Sequence, residues 1–152
     1  MAINPNTDFT TGQVLTAAEQ NRFPRGVMAV GNRITSFTLS TVSQAIPDTT
    51  VTWTADPLRL YKITAFFFFQ VTAGTGSVFG NISNGTGVRI AEGGQYAAPT
   101  NYPSVHVTVY ESGLSGTQTR RLNALFLGIT AASIIAAADY PTTIIVEDIG
   151  AA

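Results

Sequence analysis

The sequence predicts an all-β domain, a β-sandwich or jelly-roll barrel, preceded by an extended N-terminal arm with a short helical turn. Three observations predict it. Apolar and polar residues alternate with a period of two, as in Val51-Thr52-Trp53-Thr54-Ala55 and Val105-His106-Val107-Thr108-Val109. Clusters of Gly, Pro, Asn and Asp cut the chain into about eight or nine short runs of this kind. No long stretch carries helical spacing, and no repeat of a fixed period is visible.

The 152 residues suffice for one domain with a real core. Hydrophobic residues make up 45% and charged residues 11%, which excludes a disordered chain. The charged share lies well below the roughly 25% of an average soluble domain, so Thr, Ser, Asn, Gln and Gly must supply the polar surface. Such a surface suits a static assembly. The formal net charge is -1 with no basic block, so nucleic-acid binding lacks an electrostatic footprint. The absence of cysteine excludes a disulfide framework and thiolate chemistry. No run approaches the roughly 20 apolar residues of a membrane span, so no membrane insertion is expected. Met1 to Asp8 lacks the basic and apolar regions of a signal peptide, which points to synthesis in a cytosol.

Residues 1–26 are set apart as an arm, and residues 27–152 as the β domain. Asn4-Pro5-Asn6-Thr7-Asp8 is rich in turn formers, and Phe9, Val14 and Leu15 are isolated apolar anchors. Thr16-Ala17-Ala18-Glu19 has the capping-box pattern, which predicts a helical turn over Ala17 to Arg22 that stops before Pro24. A helix this short is marginal alone. The arm therefore lies on something else, a neighbouring subunit or its own domain. Phe9, Val14, Leu15, Phe23 and Arg25 are its candidate anchoring residues.

Val27 to Val30 predicts a first strand, and Arg33 to Val42 a second with Phe37 and Leu39 on one face. Val51 to Ala55 follows, and Asp56-Pro57 turns it into the longest strand, Leu58 to Val71. Gly74-Thr75-Gly76 predicts a hairpin turn before Val78 to Ile82, and Asn84-Gly85-Thr86-Gly87 a second turn before Val88 to Ala91. Glu92 to Pro103, with two Gly and two Pro, predicts an irregular loop. Val105 to Tyr110 is the cleanest alternating strand. A turn at Gly113 to Gly116 leads into Thr117 to Thr130, then a helical turn or tight crossing over Ala131 to Ala138. Pro141 opens the last strand, Thr142 to Ile149.

The long strand carries Leu58, Leu60, Lys62, Thr64, Phe66 and Phe68 on one face, and Arg59, Tyr61, Ile63, Ala65, Phe67, Phe69 and Val71 on the other. A strand solvated on one side alternates with polar residues, yet from Phe66 to Phe69 both sides are aromatic. One pair, Phe66 with Phe68 or Phe67 with Phe69, fills the core. The other is covered by a second layer, the arm or a neighbouring subunit. Phe67, Phe69 and Tyr61 are assigned to the subunit interface.

No catalytic constellation emerges. His106 is the only histidine, which rules out a His-based metal cage, and it alternates with valines as a polar-face residue does. There is no Gly-x-Ser-x-Gly elbow. Glu147 and Asp148 are adjacent and point to opposite faces of a strand, so they form no carboxylate dyad. One of them is expected to pair with Arg120 or Arg121 in an exposed salt bridge. The glycine loops lack the Lys-Ser/Thr and the helix that phosphate binding needs. Tyr96 and Tyr102 with His106 are a candidate glycan platform, against ordinary rim packing. No cofactor, metal or enzymatic activity is expected.

Both ends of the chain resemble a known family. Asp8-Phe9-Thr10-Thr11-Gly12-Gln13-Val14-Leu15-Thr16-Ala17-Ala18-Glu19-Gln20-Asn21, Phe23-Pro24-Arg25-Gly26-Val27 and the closing Pro141-Thr142-Thr143-Ile144-Ile145-Val146-Glu147-Asp148-Ile149-Gly150 resemble small virion proteins of tailed bacteriophages, especially those of actinobacteria. The resemblance covers roughly a quarter of the chain and implies no catalytic residues. It implies a structural virion protein, assembled in the host cytoplasm and carried on the particle. The expected form is a homotrimeric capsid decoration protein held to the major capsid protein by the arm. A minor tail or fibre-tip protein that contacts other tail proteins and a host surface glycan is the alternative.

Overall fold

The computed structural model describes residues 23–99 and 101–152. Among them are eight strands and no helix. They are β1 (Gly26–Arg33), β2 (Phe37–Thr38), β3 (Gln44–Ala55), β4 (Arg59–Asn84), β5 (Arg89–Ala97), β6 (Ser104–Ser112), β7 (Gly116–Ile135) and β8 (Thr142–Ala151). The all-β expectation holds, and every pairing is antiparallel.

The 26-residue β4 is the spine of one continuous sheet. Along one edge it pairs with β8 from Arg59 to Phe66 and then with β7 from Phe68 to Asn84. Along the other it pairs with β6 from Leu60 to Phe68 and with β5 from Gly76 to Ser83. β1 extends the sheet beyond β8, and β2 and β3 extend it beyond β7. A sheet this wide twists, and β4 also bends, with register shifts against β7 between Val71 and Ser77. Gly74 has a φ of 80°, and a Cβ on Gly76 would stand 2.2 Å from the Leu127 carbonyl oxygen. Only glycine allows the two backbones to meet there. The sheet thus curls into a half-barrel. β1 and β3 come together across its open side, where a Cβ on Gly31 would lie 3.1 Å from the Asp48 carbonyl oxygen.

The bulges switch which residues of β4 point inward. Before them Tyr61, Ile63, Ala65, Phe67, Phe69 and Val71 are buried; after them Val78 and Ile82 are. Leu122, Ile134, Ile144 and Val146 from β7 and β8 complete the centre of the core. Gly80 leaves space for a ring, since a Cβ there would lie 2.6 Å from Cε1 of Phe67. The Arg120 guanidinium makes two bonds of 2.8 Å to the Glu111 carboxylate and stands 5.4 Å from the Trp53 ring centre.

Several local expectations are corrected. Gly74 and Gly76 do not reverse the chain: the two strands expected around them are one strand, β4. The strand expected over Arg33 to Val42 is reduced to the two residues of β2. Half of the loop expected over Glu92 to Pro103 is strand, because β5 runs to Ala97 against β4. β7 continues to Ile135, through the first five residues of the segment expected to be a turn or crossing, and a turn follows at residues 138–139. The turn at Asn84 to Gly87 is present, closed by Gly87 N–H to the Asn84 carbonyl at 3.0 Å. The helical turn expected over residues 17–22 lies outside the described residues.

Candidate interaction surface

The outer face of β1, β8, β4 and β6 is built by alternation. Where Tyr61 to Phe69 point inward at odd positions, Leu60, Lys62, Thr64, Phe66, Phe68 and Gln70 are left on the outside, half-buried by their neighbours. The register sets them in rows across the strands. One row runs Val30, Ile145, Thr64, Thr108, and the next Asn32, Thr143, Phe66, His106. Phe68 pairs with Ile135 as β7 takes over from β8. Among these outer positions of β4 the one charge is Lys62, which meets Glu147 at 3.0 Å.

The aromatic rings on this face touch edge to face. Phe66 and Phe68 have centroids 4.8 Å apart at 86°, Phe66 and His106 6.0 Å at 84°, and Phe68 and Tyr140 6.5 Å at 86°. This is the arrangement that ring quadrupoles favour. Phe68, Tyr102, Ile135 and Tyr140 line a shallow depression of about 340 Å³. The Gln70 amide donates to the Tyr102 hydroxyl at 2.9 Å.

A second feature stands where the chain enters the sheet. Arg59, 2% exposed, and Asp148, 0% exposed, form a buried ion pair, with Arg59 Nε 2.8 Å from Asp148 Oδ2. The Arg59 guanidinium also donates to the Phe23 carbonyl. Arg25 stands 3.8 Å from Asp56 and 3.9 Å from Asp148. Asp148 further accepts from the Gly150 N–H at 3.0 Å. Such a pair survives desolvation only when its remaining valences are filled, and the neighbouring backbone fills them here. The first described residues are thereby fixed to the domain.

The predicted site residues fare differently. Phe67, Phe69 and Tyr61, assigned to a subunit interface, are each 0% exposed within one chain. That assignment is corrected: they are core, and Phe66 and Phe68 hold the outer face. Tyr102 and His106 do come to one face, His106 beside Phe66 and Tyr102 beside Phe68. Tyr96 does not join them; it is exposed on β5 opposite Ser77, beyond the bulges. Phe23 is 43% exposed, and Arg25 pairs with acids of its own domain. Phe9, Val14 and Leu15 lie outside the described residues. Glu147 and Asp148 do face opposite ways, yet their partners are Lys62 and Arg59, and Arg120 pairs with Glu111. The expected exposed bridge to Arg120 or Arg121 is replaced by a buried one to Arg59.

Among the described residues no three His, Asp or Glu side chains converge as a metal site requires. No helix there is long and apolar enough to cross a membrane.

No family model and no curated protein matches the sequence. Among solved structures the chain is similar to Eiger TNF from S. frugiperda, at 11% identity over 84% of this chain and 96% of that one, with a TM-score of 0.43. It is similar also to murine APRIL at pH 5.0, at 7% identity over 82% of this chain and all of that one, with a TM-score of 0.44. Likeness at this level carries no argument about function.

Proposed function

We propose that this protein is a non-enzymatic structural component of the exterior of a tailed phage particle, a homotrimer that decorates the capsid through residues 1–26. The observation that carries the reading is the hydrogen bond that Arg59, held by Asp148, donates to the Phe23 carbonyl, which ties the end of the arm to the domain. A rigid domain with a fixed point of departure suits a tether to a lattice. The resemblance of both chain ends to phage virion proteins points the same way, as does the low charge of the surface. Closed cyclic symmetry lets each subunit cover the same outer face of its neighbour. Binding to the assembled shell and not to its dissociated parts stabilises the shell by mass action.

Removal of residues 1–22 leaves Phe23 and Arg25 in place and tests this directly. The truncated protein is expected to fold with the circular dichroism signature of the wild-type β domain and to leave assembled capsids undecorated in a sedimentation assay. Decoration by the truncated protein at wild-type affinity sinks the arm as the anchor.

A second reading, a minor tail or fibre-tip protein that binds a host glycan, draws on Tyr102 and His106 sharing one face with Tyr140. Copy number separates the two: hundreds of chains per particle belong to a capsid, a handful to a tail.

A further inference from the structure

We propose that the outer face of β1, β8, β4 and β6, centred on Phe66 and Phe68, is where a second copy of this chain docks. The inference rests on the self-association in the proposal above and adds the surface responsible for it.

Charge comes first. Identical copies bring identical charges together, so a face that meets itself or a symmetry mate must not carry an unbalanced charge. On the outer positions of β4 the single cation, Lys62, is already paired with Glu147 at 3.0 Å, and the pair stands toward the end of the face near Arg59. From Thr64 to Gln70 the outer positions are Thr, Phe, Phe and Gln, flanked on β8 by Ile145 and Thr143. Such a face brings no unbalanced charge to a contact with a second copy.

Size agrees. Strands lie about 4.8 Å apart and rise about 3.3 Å per residue, so four strands along the span from Leu60 to Gln70 cover roughly 600 Å² before side-chain relief. A standard interface takes about 800 Å² from each partner. The face is adequate for a second copy and larger than a small ligand needs.

The chemistry of the depression selects protein over sugar. A sugar site requires several convergent polar groups beside its aromatic platform. Here Phe68 and Ile135 form half the lining, and the Tyr102 hydroxyl already accepts from Gln70. An apolar side chain of a facing copy fits this surface, and interfaces concentrate such aromatic anchors at their centres.

The test is molecular mass in solution, by sedimentation equilibrium at tens of micromolar, on the full chain. The wild type is expected at a multiple of the chain mass, three-fold for the trimer. Phe68→Asp and Thr108→Arg are each expected to fall to the mass of one chain and still unfold cooperatively; Phe68→Leu is expected to keep the wild-type mass. Thr108 is exposed on β6, so an arginine there does not disturb the core, and this variant decides the matter if Phe68→Asp does not fold. An oligomeric wild type with an equally oligomeric, folded Thr108→Arg overturns the docking face and leaves self-association standing. A wild type with the mass of one chain overturns both, and leaves the face to a sugar or an unrelated protein.

Discussion

Arg59 shows what one residue can carry. Its parity with Tyr61 and Ile63 is legible in the sequence, but that this face is the core is not, since the sequence assigns Tyr61 to a subunit interface and only the structure buries it with Arg59. Nor could the partner be read, because Asp148 is 89 residues away in sequence and meets Arg59 only through the pairing of β4 with β8. A guanidinium and a carboxylate both stripped of water lose several kcal/mol each, and their mutual attraction offsets that loss only while both are present. Removing one partner strands the other. Arg59→Met or Asp148→Leu alone is therefore expected to cost about 3–5 kcal/mol. The double variant Arg59→Met with Asp148→Leu, which strands no charge, is expected to cost less than either. Urea unfolding midpoints measure all three. If the double variant costs the sum of the two single ones, the penalty arises from packing and not from the orphaned charge.

Among the elements, β4 has both the most legible local pattern and the least legible course. The alternation from Leu58 to Val71 was read correctly as one long strand, and the aromatic run made both faces apolar. For that reason alternation alone did not say which face is inside. That was decided by what β7 and β8 bring to the interior, Leu122, Ile134 and Ile144 against Phe67 and Phe69. Gly74 and Gly76 were read as a hairpin because hairpins and bulges ask for the same residue, one that tolerates a left-handed backbone or close contact. The difference lies in the partner strand: β7 stays paired across the whole segment, so the chain bends and does not reverse. Gly76→Ala tests the bend, since its methyl group would meet the backbone oxygen of Leu127, which cannot rotate away as a side chain does. A loss near the upper end of the about 1–3 kcal/mol typical of overpacking is expected. At Gly113, φ is 71° and an added Cβ meets nothing within 4 Å. Gly113→Ala therefore carries only the left-handed backbone cost of about 1–2 kcal/mol. Equal losses at the two sites, compared by thermal melts, mean that the curl of the sheet is not set at Gly76.

For the whole molecule the question is how a chain with 11% charged residues keeps a defined state. Its core is closed within one chain, so the domain does not need a neighbour to bury Phe67, Phe69 or Tyr61. The outer face is a separate account: Phe66 and Phe68 remain half-buried, and covering them is the gain that association offers. If folding and association are linked in this way, stability depends on protein concentration, because copies bind the folded chain and not the unfolded one. For a trimer each tenfold rise in concentration adds about 0.9 kcal/mol per chain, which is two thirds of the 1.4 kcal/mol that a factor of ten represents. A domain of this size gains roughly 2–4 °C per kcal/mol. The melting temperature is therefore expected to climb by about 2–4 °C for every tenfold increase between 1 and 100 micromolar. Thr108→Arg is expected to melt at one temperature throughout that range, equal to the low-concentration limit of the wild type. A flat wild-type series shows that the half-barrel is stable by itself and that covering Phe66 and Phe68 adds nothing to it.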